Sequence, residues 1–74
     1  MRTEKAGDPV VAALREAEEA IGQVLAADTP VDLGPQNAYI RRLQHMLAQR
    51  YNLASRSLGK EPYRHVRIQS GEPE

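Results

Sequence analysis

The sequence has no cysteine, tryptophan or phenylalanine, and its only aromatic residues are three tyrosines. Without cysteine the chain has neither disulfides nor thiolate zinc sites. Since aromatic residues are so few, we expect an aliphatic core. No apolar run is long enough to form a membrane-spanning helix. The 74 residues, 41% hydrophobic and 27% charged, indicate one small globular domain with a modest core.

The opening residues, Met1–Lys5, are polar and charged and lack the apolar stretch of a secretory signal. We therefore expect a cytoplasmic protein. Residues 1–7 are predicted to be a flexible leader, residues 8–69 a single domain, and residues 70–74 a flexible acidic tail.

The formal net charge is zero, but the charges are segregated along the chain. Residues 1–35 hold three basic and seven acidic residues, whereas residues 36–69 hold seven basic residues and a single acid, Glu61. Segregated positive charge favours a polyanion as ligand, although a net charge of zero weakens the long-range electrostatic attraction of such a ligand. The basic half is therefore the candidate region for a nucleic-acid site.

The spacing of apolar residues predicts a first amphipathic helix, with Asp8 as N-cap, Pro9 at the first helical position and an end before Pro30. Gly22 weakens this helix by about 1 kcal/mol relative to alanine and would allow close packing. The acidic side of the helix is interpreted as a solvated face, with a partner site as the alternative. The predicted buried stripe consists of Val10, Leu14, Ala17, Ile21, Val24 and Leu25.

A second helix follows a short strand at residues 31–33 and is capped by either Gly34 or Asn37. Its predicted buried stripe is Ile40, Leu43, Leu47 and Tyr51, with Tyr39 and Met46 at one edge. The other side is then a polar face without an acid, on which we expect the side chains to be free. This face comprises Arg41, Arg42, His45 and Gln49.

Two later segments, residues 53–58 and 64–69, alternate in the manner of strands. Gly59 and Pro62 lie between them and predict a turn, so the two strands should pair as an antiparallel hairpin. In the second strand, Val66 and Ile68 should face the core, and His65 and Arg67 should point away from it. The fold class is therefore α+β, a two-layer domain with two helices on one face of a three-stranded sheet.

The segment from Leu33 to Ile68 resembles the R-3-H domain, a family named for an arginine and a histidine three residues apart, here Arg41 and His45. That spacing alone is a weak signal, but the surrounding pattern is specific. The chain looks most similar to the C-terminal domain of Jag-type bacterial RNA-binding proteins. It departs from the family at His65, where relatives often carry a second arginine. The further matching positions are Pro35, Asn37, Tyr39, Arg42, Ser57, Gly59, Pro62, Arg64, Val66 and Ile68.

The resemblance implies non-catalytic, weakly sequence-specific binding of single-stranded RNA or DNA, without a cofactor or metal. In longer relatives the domain accompanies a KH domain or an ATPase, and the 74 residues contain neither set of motifs. The alternative is a protein–protein interaction or dimerisation module. Tyr63, if it is exposed in its loop, is a candidate for stacking on a base, and the alternative is that its ring covers the edge of the core. The residues expected to contact nucleic acid are Arg41, Arg42, His45, Gln49, Lys60, Arg64 and Arg67.

The sequence gives little support for an enzyme. Either Ser55 or Ser57 could be paired with His45 or His65 as nucleophile and base, but no acidic residue or oxyanion motif accompanies them. The two histidines and scattered carboxylates also form no pattern typical of a metal site.

Overall fold

The computed structural model describes residues 7–72, and the chain folds in the order helix, strand, helix, strand, strand. This confirms the predicted α+β class. The predicted leader, apart from Gly7, and the last two residues of the predicted tail lie outside the described residues. The elements are helix α1 (Pro9–Ala27), strand β1 (Val31–Asp32), helix α2 (Ala38–Arg50), strand β2 (Ala54–Leu58) and strand β3 (His65–Gln69).

Side-chain caps fix the starts of both helices. The Asp8 carboxylate accepts hydrogen bonds from the main-chain nitrogens of Val10 and Val11, at 2.9 and 3.3 Å. At the start of α2 the cap is Asn37 rather than Gly34, since its side-chain oxygen accepts from the nitrogen of Ile40 at 2.9 Å. Both caps satisfy main-chain donors that the first turn of a helix leaves unpaired.

The three strands form an antiparallel sheet in the order β1-β3-β2, so that β3 is central and β2 is an edge. Val66 and Ile68 are fully buried beneath the helices. Because side chains alternate along a strand, His65 and Arg67 lie on the opposite, open face. The predicted hairpin and the predicted orientation of β3 are confirmed.

Helix α1 buries only part of the predicted stripe: Ala17, Ile21 and Val24 are buried as expected, whereas Val10 and Leu14 are only partly buried. Its centre is formed by alanines, and the predicted Leu25 is 60% exposed. Small side chains let the helix approach its neighbours closely. A side chain at Gly22 would meet nothing within 4 Å, so no close packing occurs there among the described residues. The residues that α1 buries are Ala13, Ala17, Ala20, Ile21 and Val24.

The buried side of α2 is also rotated from the predicted one. Leu43 and Leu47 are only partly buried, and Tyr51 is exposed. The helix contacts α1 through Gln44 and β2 through His45, so its buried side includes polar residues that the apolar pattern does not mark. The expectation that Arg41 and His45 are free in solvent is wrong. The residues that α2 buries are Ile40, Arg41, Gln44 and Ala48.

Neither helix within residues 7–72 combines the length and the apolar character needed to cross a membrane.

Candidate functional site

The loop between β2 and β3, residues 59–64, folds back against the start of α2. The main-chain nitrogen of Gln36 donates to the carbonyl of Arg64 at 3.3 Å, and the nitrogen of Tyr63 donates to the carbonyl of Lys60 at 2.7 Å. The loop begins at Gly59, whose φ of 87° is in the left-handed region. It therefore brings basic residues that are distant in sequence to the N-terminal end of α2.

Arg41 connects the start of α2 to this loop. Its Nη1 atom donates to the carbonyl oxygen of Gln36 at 2.7 Å and to the carboxylate of Glu61 at 3.1 Å. The Arg41 side chain is only 10% exposed, whereas that of Glu61 is 61% exposed. The Nε and Nη2 atoms of Arg41 have no hydrogen-bond partner among the described residues. Arg41 is thus a largely buried cation with donors still available to a ligand.

His45 is held between α2 and the edge strand β2. Its Nδ1 and Nε2 atoms lie 2.6 and 2.9 Å from the hydroxyl oxygens of Ser55 and Ser57. Burial lowers the pKa of His45 below its usual range, and the positive charge of Arg41 acts in the same direction. The ring is therefore neutral at pH 7, with one nitrogen donating to a serine and the other accepting from one.

Three of the predicted site residues surround this pair with their side chains exposed. Arg42 and Gln49 lie on the solvent side of α2 next to His45, and Lys60 lies in the loop. The side chains of Arg42 and Lys60 have no hydrogen-bond or ion-pair partner in the part of the chain that the structure describes. Arg64 is partly exposed, and its Nη1 atom donates to the carbonyl of Gly59 at 2.7 Å, which holds it over the loop.

Arg67 does not join this group, because it lies on the open face of the sheet. Its Nε atom donates to the carboxylate of Asp32 at 2.6 Å, and its Nη2 atom donates to the second oxygen at 3.3 Å. The hydrogen bond from Arg67 lowers the pKa of Asp32, and the same bond raises the pKa of Arg67. His65 lies 3.4 Å from the same carboxylate. Of the seven predicted site residues, Arg67 is the one placed elsewhere.

Sequence reasoning missed the residues that hold the site together. By sequence, Ser55 and Ser57 are possible nucleophiles, and Ser57 is also a position of the pattern around Arg41 and His45, whereas in the structure both orient His45. Their spacing of two on a predicted strand places both on one face and could have indicated a shared partner. Glu61 stood out only as the single acid of the basic half, and nothing in its spacing indicated contact with Arg41.

The two signs of charge are also separated in space. A cavity of about 200 Å³ between α1 and β1 is lined by Glu16, Glu19 and Asp32, among others. Strand β1 lies at one edge of the sheet, while α2 covers β2 at the other edge. Within residues 7–72, no three histidine or carboxylate side chains lie close enough together to hold a metal ion. The exposed surface at α2 and the loop is therefore basic, and the opposite edge is acidic.

Comparison with known proteins gives two matches. The family model for the R-3-H domain matches residues 12–70. A stretch of 59 residues, 78% of the chain, is 46% identical to the uncharacterized protein ycf45 of Porphyra purpurea. The matched stretch is 10% of that relative, so the chain spans about a tenth of the length of the curated relative it matches.

Proposed function

The chain belongs to the R-3-H domain family, and on that premise we propose that it binds single-stranded nucleic acid at the N-terminal end of α2 and the adjoining loop. The family is generally associated with nucleic-acid binding. The proposed site comprises Arg41, Arg42, Lys60, Tyr63 and Arg64, and Gln49 would extend it along the same helix to the last turn of α2.

The observation that carries this proposal is the convergence of cations from two segments of the chain. Arg42 extends from α2 and Lys60 from the loop, and both side chains are exposed without a partner among the described residues. Arginine presents a planar set of donors that matches phosphate oxygens, and lysine supplies a mobile point charge. Glu61 is the one acidic residue between Gln36 and Gln69. No other side chain of that segment therefore carries a negative charge that would repel a phosphate.

Tyr63 gives this surface a preference for unpaired bases. It lies in the same loop as Lys60 and is 73% exposed. An exposed aromatic ring beside cations can stack on a base while the cations hold the phosphates, an arrangement typical of single-strand binders. A duplex keeps its bases stacked within the helix, so this contact favours single strands.

His45 takes a positioning role in this proposal. Both of its ring nitrogens are already bonded to serine hydroxyls, so a direct bond to phosphate would require one of these contacts to break. By tying α2 to β2, the histidine fixes the orientation of the helix that carries Arg41 and Arg42.

We also propose that the domain is not catalytic. A serine hydroxyl does lie 2.9 Å from His45 Nε2, but the other ring nitrogen contacts a second serine rather than a carboxylate. A triad needs a third group that orients the base and stabilises its charged form. Here burial and Arg41 disfavour the charged form of His45 and lower its pKa.

Binding of labelled 12-nucleotide single strands of RNA and DNA tests the proposal, with a 12-base-pair duplex as the control. Three to five phosphate contacts predict a log–log salt slope of roughly −2 to −3.5 for a single strand. We expect affinity in the micromolar range and intact oligonucleotide after prolonged incubation. Further domains of a longer protein, such as a KH domain or an ATPase, would increase the affinity by acting together.

A second candidate function is a protein-interaction module, favoured by the outward side of α2. Tyr39 and Met46 are 63% and 53% exposed on that side, and Arg42 and Arg50 lie beside them. Tyrosine, methionine and arginine are the residue types enriched in protein interfaces. Two results together would favour this function. The chain would bind no oligonucleotide at low salt, and it would self-associate or capture a protein ligand in a way that Tyr39→Ala abolishes.

A further inference from the structure

We infer that Glu61 is an internal competitor that occupies the guanidinium of Arg41 until a phosphate group of the nucleic acid replaces it. The inference rests on the proposed function. It assigns to Glu61, which the family motif does not include, the role of setting the affinity and salt dependence of the site.

The two partners of the Arg41–Glu61 ion pair differ strongly in burial. Arg41 is 10% exposed and is fixed on its other side by the carbonyl of Gln36, whereas the carboxylate of Glu61 is 61% exposed. A buried cation without a counter-charge is costly, but an exposed carboxylate regains full hydration when it moves into water. The glutamate can therefore leave without penalty of its own, provided that another anion takes its place at Arg41.

The only acid of the basic segment lies beside Arg41. Residues 36–69 contain seven basic residues and one acid, and this acid lies against Arg41, the one described basic residue that is buried. Its contact is a single hydrogen bond of 3.1 Å to Nη1. The donors on Nε and Nη2 have no partner among the described residues, so an incoming phosphate can bind Arg41 before the glutamate has left.

The exchange has a measurable consequence for salt dependence. When a phosphate replaces Glu61, one anionic contact is lost as another forms, so fewer ions are released than at a free arginine. Removal of the negative charge at residue 61 should therefore both tighten binding and steepen the salt slope. Exposed ion pairs contribute modestly to free energies, so we expect about a two- to fivefold gain in affinity and a steepening of up to about 0.7 in slope.

The experiment compares the full chain with Glu61→Gln and Glu72→Gln, using fluorescence anisotropy of a labelled 12-nucleotide single strand at four salt concentrations. Glutamine keeps an acceptor for Arg41 Nη1, so the fold should be retained, and thermal unfolding checks this. Glu72 is exposed beyond the far end of β3, about 17 Å of strand away from the loop. Its substitution changes net charge by the same amount without touching Arg41.

A two- to fivefold gain and a steeper slope for Glu61→Gln, beyond any change in Glu72→Gln, would support the inference. Equal behaviour of the two variants would overturn it and leave the proposed function standing, because the wild-type chain would still bind. Weaker binding by Glu61→Gln would also overturn it and would make Glu61 an orienting residue for Arg41. If the wild-type chain binds no strand at low salt, the proposed function fails and this inference falls with it.

Discussion

The Nδ1 atom of His45 lies 2.6 Å from the hydroxyl oxygen of Ser55, so the motif histidine is bonded to the edge strand β2. With Ser57 on the other ring nitrogen, the imidazole forms a polar bridge between helix and sheet. This contact explains why a histidine on an apparently solvated helix face is partly buried, and it gives the fold a pH dependence.

Acidification should destabilise the domain through His45. Its pKa is lowered in the folded chain, chiefly by burial, relative to the usual value of 6.5. The unfolded chain therefore binds more protons between those two values, so stability is complete above pH 6.5 and falls as pH decreases through the lowered pKa. We expect the urea midpoint to fall between pH 7.5 and 5.5.

His45→Gln should flatten that dependence, at the cost of lower stability at pH 7.5. His65→Gln is the matched control and should keep the slope, since His45 is still present. A midpoint that is constant from pH 7.5 to 5.5 in the wild-type chain would contradict the prediction.

Gln44→Met should leave the domain as stable as before or stabilise it by about 1 kcal/mol. Gln44 is fully buried and donates to the carbonyl of Ala13 at 3.2 Å, but its side-chain oxygen has no partner within residues 7–72. Methionine has a similar volume and removes this unpaired acceptor. Urea denaturation measures the change, and Gln49→Met, on the exposed side of α2, is the control. A loss above 1 kcal/mol would show that the bond to α1 outweighs the unpaired oxygen.

Gly22→Ala should raise the free energy of unfolding by about 0.5–1 kcal/mol. Gly22 is exposed within α1, and a Cβ atom there would meet nothing within 4 Å. Gly59→Ala, by comparison, should destabilise, because the φ of Gly59 is 87°. Denaturation curves of both variants check the pair of expectations. Glycine is a poorer helix former than alanine. If Gly22→Ala nevertheless destabilises the domain, Gly22 has a structural role in α1 that alanine cannot replace.

Tyr63→Ala should weaken binding of a single strand without changing the melting temperature. Loss of a stacked base costs about 1–3 kcal/mol, which corresponds to roughly five- to 150-fold in the dissociation constant. Tyr51→Ala removes an exposed tyrosine at the other end of α2 and serves as the control. If Tyr63→Ala and Tyr51→Ala bind the single strand with equal affinity, Tyr63 does not stack on a base.

The sequence predicted the elements better than their contacts. Proline and capping signals placed α1, and alternation gave the orientation of β3, because both depend on local chemistry. The apolar pattern of α2 failed because the buried side of the helix includes polar residues, among them Arg41 and Gln44. Polar side chains can be buried wherever the fold supplies partners. No periodicity in the sequence identifies Gln36 or Glu61 as partners of Arg41.

The charge distribution was likewise only partly predictable. Seven basic residues in one half indicated a polyanion site, and the structure brings Arg42, Lys60 and Arg64 near Arg41. Alternation within β3 places Arg67 on the other face, but its pairing with Asp32 depends on the register of β1 against β3. Such long-range pairing is set by the tertiary fold and has no local signal.

The most direct measurement is the salt slope of single-strand binding for Arg42→Ala compared with Arg56→Ala. Both side chains are exposed arginines, but Arg56 lies on the open face, since its neighbours Ser55 and Ser57 face α2. We predict that Arg42→Ala weakens binding and lowers the magnitude of the slope by about 0.7, while Arg56→Ala changes neither. The reverse result, with the slope reduced only by Arg56→Ala, would place the nucleic acid on the open sheet face and contradict the proposed site.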